Sequence, residues 1–256
     1  MRFLTGTFFP FTLILMNLQG KRILITGSAR RIGKALALAC AKAGGEVYIH
    51  HGHSPEEAER TRSEIQAVGG RAWIVAADLA DARQTIDMLD DVTSGGPLFA
   101  LVNNAAIFDS LNLQTTRLES WNYHLQVNLT APFLLSQAFA ARLPRDMEGC
   151  IVNILDWRAL RPGADHLPYT ISKAALAALT RSLAIALAPR IRVNGLALGA
   201  ILPPSDGVAE QSLLESIPSG RWGYLDEVCQ ALLFLLGGPG YITGEIIHID
   251  GGRHLV

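Results

Sequence analysis

Short apolar runs alternate with longer stretches of helical spacing along almost the whole chain. Residues 22–25, 46–50, 71–78, 98–102, 151–155, 191–196 and 245–250 are brief, rich in Val, Ile and Leu, and bounded by Gly, Asn or Asp, so they read as strands. Between them lie segments of helical period, covering about 34–43, 55–68, 81–93, 119–143, 168–188 and 226–236. Gly44-Gly45, Gly69-Gly70 and Gly95-Gly96-Pro97 punctuate the alternation. Ser54 stands as the N-cap of the second helix, with Pro55 in its first turn and Glu57 completing a capping box. Strands alternating with helices of this length predict an α/β fold, a parallel sheet covered by helices on both faces. No repeat, low-complexity tract or linker divides it, so the pattern predicts a single domain over residues 16–256.

Two stretches break the pattern. Residues 202–220 are rich in Pro, Ser and Gly and are expected to carry short helices and act as a lid. Residues 1–15 hold an apolar run too short to span a membrane and lack a small-x-small cleavage site. They are expected to be a loosely ordered N-terminal extension, with Met16 as a natural start.

The 256 residues carry a net charge of −1, with 49% hydrophobic residues and no basic run. That argues against nucleic acid as the partner and suits a small-molecule substrate. Cys40, Cys150 and Cys229 are far apart, without metal spacing or a disulfide framework, which favours small buried residues in a reducing, cytoplasmic setting away from membranes.

Candidate chemistry begins between the first strand and first helix, at Thr26-Gly27-Ser28-Ala29-Arg30-Arg31-Ile32-Gly33. Gly27 lets the chain leave the strand in a conformation that side chains disfavour, and Gly33 lets the helix sit close to the sheet. The helix N-terminus then offers N–H groups and a positive dipole end to an anion such as a nucleotide pyrophosphate. Arg30 and Arg31 add cations at the same mouth, and Arg31 stands where the usual fingerprint has a third glycine. The second strand ends His50-His51-Gly52-His53-Ser54 without the carboxylate that holds a ribose 2′-OH. His53, Ser54 and nearby backbone N–H groups, aided by Arg30 or Arg31, suit a 2′-phosphate, so the expected cofactor is NADPH. The histidines there have no partner ligands in sequence, and no metal is expected. Farther on, Tyr169 and Lys173 lie four apart at a helix start and share one face. An ammonium beside a phenol favours the phenolate and brings its pKa toward working range.

In this order, Thr26-Gly27-x3-Arg31-Ile32-Gly33, Asn103-Asn104-Ala105, Asn128, Tyr169-x3-Lys173 and Asp250-Gly251-Gly252 resemble the short-chain dehydrogenase/reductase family from about residue 21 to 252. The resemblance implies a Rossmann-type doubly wound sheet of seven parallel strands in the order 3-2-1-4-5-6-7. It also implies an assembly, usually a homotetramer, through the long helices after strands four and five, where Ala174, Ala175, Ala177 and Ala178 allow close packing. It places Gly27, Arg30, Arg31, Ile32, Gly33, His53, Ser54, Asp78, Leu79, Asn104, Ala105 and Gly199 against the cofactor, with Asp78 on the adenine amino group. Asn128 would organise a water or backbone contact to Lys173. Lys173 would hold the nicotinamide ribose and tune Tyr169.

Thirteen residues before Tyr169, where family members usually carry Ser, this chain carries Asp156. A carboxylate suits a substrate that offers N–H donors or needs a proton at nitrogen. Asp156 and Arg31 together resemble the pteridine reductase branch, including dihydromonapterin and dihydrofolate reductases. Phe108 falls where that branch places a ring against a flat pterin, although a core or lid role is the alternative. The branch's Ser after Asn-Ala is here Ala106, and its Pro-Gly after strand six is Leu198-Gly199. The implied reaction is hydride transfer from NADPH to a dihydropterin or dihydrofolate C=N bond, with Arg31, Phe108, Asp156 and Tyr169 at the substrate. Tyr169, Asp156 or a bound water supplies the proton. Two alternatives are a general carbonyl or 3-oxoacyl reductase, and a non-catalytic NADP(H)-binding sensor.

Overall fold

The seven apolar runs become the strands of one parallel sheet in the order β3-β2-β1-β4-β5-β6-β7, as expected. The computed structural model describes residues 16–202 and 214–256. The expected N-terminal extension, and most of the expected lid, therefore lie outside the described residues. The strands are β1 (Arg22–Ile25), β2 (Glu46–His51), β3 (Arg71–Ala76), β4 (Ala100–Asn103), β5 (Gly149–Asp156), β6 (Ile191–Leu198) and β7 (Ile246–Ile249). β1, β4 and β5 are buried almost throughout, because helices cover both faces of the sheet.

On one face, α1 (Arg31–Lys42), α2 (Pro55–Ala67) and α7 (Leu225–Gly237) enclose a core that includes Ile23, Ile25, Leu36, Val102, Val152 and Leu232. On the other face, α3 (Ala82–Ser94), α5 (Ala131–Arg142) and the end of α6 (Leu167–Leu187) close over Leu24, Leu89, Leu101, Leu135, Phe139 and Val193. Asp81 caps α3 by accepting from the Arg83 and Gln84 N–H groups. The capping box expected at α2 does not form. Ser54 has ψ 61°, away from the extended cap conformation, and its side chain makes no cap hydrogen bond. The first-turn N–H groups of α2 are thus left without a hydroxyl from Ser54.

The helix expected over 119–143 is one continuous helical rod with a fault in it. α4 (Leu118–Leu125) runs into a five-residue π-turn, Gln126–Thr130, before α5 begins. Such a turn holds one more residue than an α-turn, and Asn128 lies inside it, buried.

Two glycine positions are fixed by contact. Gly27 has φ +62°, and a Cβ there would meet Ala105 at 3.0 Å. A Cβ on Gly33 would lie 2.2 Å from the Gly27 carbonyl oxygen and 2.7 Å from Nδ2 of Asn104. Arg31, in the slot usually held by glycine, keeps the left-handed conformation with φ +53°. Gly33→Ala is expected to lower stability by about 2 kcal/mol through overpacking. Thermal unfolding would show the loss, and titration with NADPH would show binding abolished, since the displaced backbone belongs to the turn itself.

Candidate active site

The glycine turn is held from two sides. Thr26 Oγ1 accepts the N–H groups of Asn104 (2.9 Å) and Ala105 (3.0 Å), which ties the end of β4 to the end of β1. Asn104 returns the bond, its Nδ2 donating to the carbonyls of Thr26 (2.8 Å) and Gly27 (3.2 Å). From the other side comes His50, 2% exposed at the end of β2. Gly27 N–H donates to His50 Nδ1 at 2.9 Å, so that nitrogen carries no proton. His50 Nε2 therefore holds the hydrogen and donates to the Ala77 carbonyl at 3.0 Å. Ser28 Oγ completes the network, donating to the Ile25 carbonyl and accepting the His50 N–H. Burial brings the His50 imidazole down from 6.5 to about 4, against the Ala77 carbonyl, which favours the charged form.

Over this turn lies a groove of about 470 Å³, lined among others by Gly27, Arg30, Arg31, Ile32, Gly33, His53, Ser54, Asn104, Ala105 and Phe108. Most of the residues expected at the cofactor thus converge. Asp78 sits beside the groove, its carboxylate 4.0 Å from His53 Nε2. Asp78 also closes its own turn by accepting the Ala80 N–H. The Leu79 side chain is buried in the core, and Gly199 packs against Asp250, where a Cβ would meet the Asp250 Cα at 2.6 Å. Neither residue brings a side chain into the groove. His51, which the sequence reading passed over, lines it with a buried Nδ1 that has no hydrogen-bond partner. An orphaned polar atom in the wall, no carboxylate at the end of β2 and two positions where a Cβ would collide all fit a phosphorylated dinucleotide.

Beyond Phe108, which lines the groove and meets Tyr169, β5 and α6 bring Asp156, Tyr169 and Lys173 together. Asp156 Oδ1 accepts the Arg158 N–H (2.8 Å), and Asp156 Oδ2 accepts the Tyr169 hydroxyl (3.1 Å). Lys173, 2% exposed, donates through Nζ to the Ile154 carbonyl at 2.7 Å. Its Nζ is 5.8 Å from the Tyr169 ring centroid. Asn128 makes no bond to Lys173. The π-turn aims it at the backbone of Ile107, where it both donates (3.0 Å) and accepts (2.9 Å), and it donates to Ser172 Oγ at 3.1 Å. Asn128 therefore positions the Ile107–Phe108 segment and the helix residue before Lys173.

The electrostatics reverse one expectation. Burial, and then the Asp156 carboxylate, push the Tyr169 phenol well above its usual value. The Asp156 contact takes the place that a close ammonium was expected to hold. Burial also raises the Asp156 carboxyl, opposed by the Arg158 N–H. Burial lowers the Lys173 ammonium to about 8, opposed by Asp156. A phenol, a carboxyl and an ammonium are thus shielded from water together, each with its ordinary proton affinity shifted by burial.

Phe108 forms the outer wall. Its ring stacks on His166 at 4.0 Å and 10°, and meets Tyr169 edge-on at 4.6 Å and 79°. It is 53% exposed, so a core role is excluded. His166 sits at the start of α6 with φ 49°, a left-handed conformation uncommon for a side chain of its size. Its Nδ1 lies 2.9 Å from the Asp109 carbonyl. The cysteines are buried and their thiols raised by burial, as small core residues. No group of three or more metal-ligating side chains is present among the described residues.

A family model described as Enoyl-(Acyl carrier protein) reductase matches residues 27–254. A 3-oxoacyl-[acyl-carrier-protein] reductase of Synechocystis is 34% identical over 235 residues, covering 90% of this chain and 95% of the relative. Among solved structures, FolM alternative dihydrofolate reductase 1 from Brucella canis, complexed with NADP, aligns with a TM-score of 0.87 at 36% identity, covering 94% of this chain and 96% of that one. A short chain dehydrogenase from Burkholderia cenocepacia, also with NADP, aligns with a TM-score of 0.87 at 37% identity, covering 93% and 99%.

Two pH dependences follow. His50 is depressed in the folded state, so the unfolded chain binds the extra proton between 6.5 and about 4. Its contribution is complete above 6.5 and is lost as pH falls through that window. His50→Asn keeps an acceptor for Gly27 but does not titrate, and its melting temperature should fall less steeply over the same range. Asp156 is raised in the folded state, so its ionisation destabilises the fold as pH rises. Asp156→Asn should therefore melt higher than wild type at neutral pH, with the difference shrinking as pH falls into the carboxyl range.

Proposed function

The chain belongs to the short-chain dehydrogenase/reductase family and is an NAD(P)-dependent oxidoreductase of it; on that premise we propose that it reduces a C=N bond of a dihydropterin or dihydrofolate with NADPH. The observation that carries this reading is the part-buried hydrogen bond that the Tyr169 hydroxyl donates to Asp156 Oδ2. A carbonyl substrate needs a hydroxyl to polarise its oxygen. A ring C=N bond needs a proton at nitrogen, and a buried carboxyl with a raised pKa beside a phenol is suited to hold one. The flat exposed face of Phe108, set beside Tyr169, suits a planar heterocycle.

NADPH, when bound, supplies the hydride to the ring carbon. Gly27, Gly33 and the first turn of α1 would hold the pyrophosphate. His51, His53, Ser54 and the open N-terminus of α2 would hold a 2′-phosphate, and Arg30 and Arg31 add positive charge at the groove. Lys173 would hold the ribose. The proton passes from Tyr169 or Asp156 to the ring nitrogen. Asn128 fixes Ile107 and Ser172 through its side-chain amide. The structural alignment with a FolM alternative dihydrofolate reductase supports the pterin reading. The match to 3-oxoacyl-[acyl-carrier-protein] reductases favours a second one, a 3-oxoacyl reductase, against which stands Asp156 in the serine position. Ile185, 83% exposed on α6, and Phe133, 39% exposed on α5, are apolar residues facing outward from the two long helices, in keeping with a homo-oligomer.

Oxidation of NADPH should be followed with dihydropterin and dihydrofolate beside a panel of ketones and 3-oxoacyl thioesters. Turnover of the pterins is expected; turnover confined to the carbonyls would leave hydride transfer standing and remove the pterin. Asp156→Asn should cut kcat on the pterin roughly 100-fold while leaving NADPH affinity unchanged.

A further inference from the structure

Beside the candidate active site, two arginines converge on one indole. The guanidinium carbon of Arg253, in the turn that follows β7, lies 4.1 Å from the Trp157 ring centroid. That of Arg158 lies 5.0 Å from the same ring and 6.0 Å from the Phe108 ring. Trp157 directly follows Asp156, so the pair stands immediately outside the proton-holding centre. Arg158 is held by Asp165 through Nη2 at 2.7 Å, yet its Nε is buried with no partner. Asp165 is shared, since His166 Nε2 approaches it at 3.6 Å. No carboxylate among the described residues pairs with Arg253; Asp250, three residues earlier, is committed to His254 at 2.7 Å. Burial, and then the neighbouring Arg158, lower the Arg253 guanidinium from its usual value. Two like charges are thus brought together and partly stripped of water; Asp156, Asp165 and Asp250 offset them from a distance, but none closes on Arg253 in an ion pair. Guanidinium forks favour carboxylates.

We propose that Arg158 and Arg253, braced on Trp157, bind a carboxylate carried on the side chain of the ring being reduced. The substrate class is then a dihydropterin with an anionic tail, of the folate type, rather than one with a neutral polyol tail. A polyol has no use for a second guanidinium, whereas a dicarboxylate tail meets both. This rests on the pterin reading above. It adds the part of the substrate that lies away from the reacting bond, recognised by residues that take no part in proton transfer.

The test compares dihydrofolate, which carries the two carboxylates, with dihydrobiopterin, whose tail is neutral, on wild type and on Arg253→Gln. The expected result is a KM for dihydrofolate raised about tenfold with kcat little changed, since the lost contact serves ground state and transition state alike. The KM for dihydrobiopterin should stay within about twofold, and Arg253→Lys should restore part of the dihydrofolate affinity. Added salt should raise the wild-type KM for dihydrofolate and leave that for dihydrobiopterin unmoved, a measurement that needs no variant to fold. Parallel changes for both substrates, or no salt difference between them, would assign Arg253 to holding the C-terminal turn and overturn the tail site while the pterin reading survives. Wild type that turns over neither pterin overturns that reading, and the tail site with it.

Discussion

A carboxyl group buried at the C-terminal edge of β5 is the constraint around which the candidate site is arranged. Burying such a group is costly unless its oxygens are satisfied. Asp156 meets that demand with one backbone N–H on one oxygen and one phenol on the other. The first bond folds the chain into the short turn Trp157–Ala159, which sets Trp157 and Arg158 outside the centre. The second holds the Tyr169 hydroxyl toward β5. What is arranged around this carboxyl is therefore both a proton store and the frame of a substrate wall.

The fold was largely legible in the sequence because its signals are local. Apolar runs of four to eight residues, glycine pairs and helical spacing gave the seven strands, and no distant contact was needed to see them. The cofactor groove was legible for a similar reason: a strand, a glycine turn and a helix follow one another within a dozen residues. Asp156 could also be found, because its distance from Tyr169 in sequence is set by the strand, turn and helix between them.

The rest depends on contacts between residues far apart in the chain. His50 reads as one more polar residue at a strand end, and nothing local says that Gly27 will donate to it. Its position, ending an apolar run without lying in a loop, was the available signal. The pairing of Tyr169 and Lys173 was visible as helical spacing, but the sign of its effect was not. Spacing says that two side chains share a face; it does not say that the carbonyl of Ile154 takes the ammonium while Asp156 takes the phenol. The stack of His166 on Phe108 joins residues 58 positions apart and rests on a left-handed residue that composition does not announce.

The π-turn at Gln126–Thr130 acts as a change of phase between two helices. One extra residue rotates everything after it by about 100° relative to an unbroken α-helix. Before the turn, α4 buries little besides His124; after it, α5 buries Ala131, Leu135, Ala138 and Phe139 against the sheet. Regularising this segment by removing one residue would not simply shorten the rod. It would swing the apolar stripe of α5 a quarter-turn off the sheet, or carry Asn128 and α4 the other way. The irregularity is thus a gear between two surfaces with different requirements, one of them the core and the other the floor of the site, and it makes the length of this helix far less free to vary than that of a surface loop.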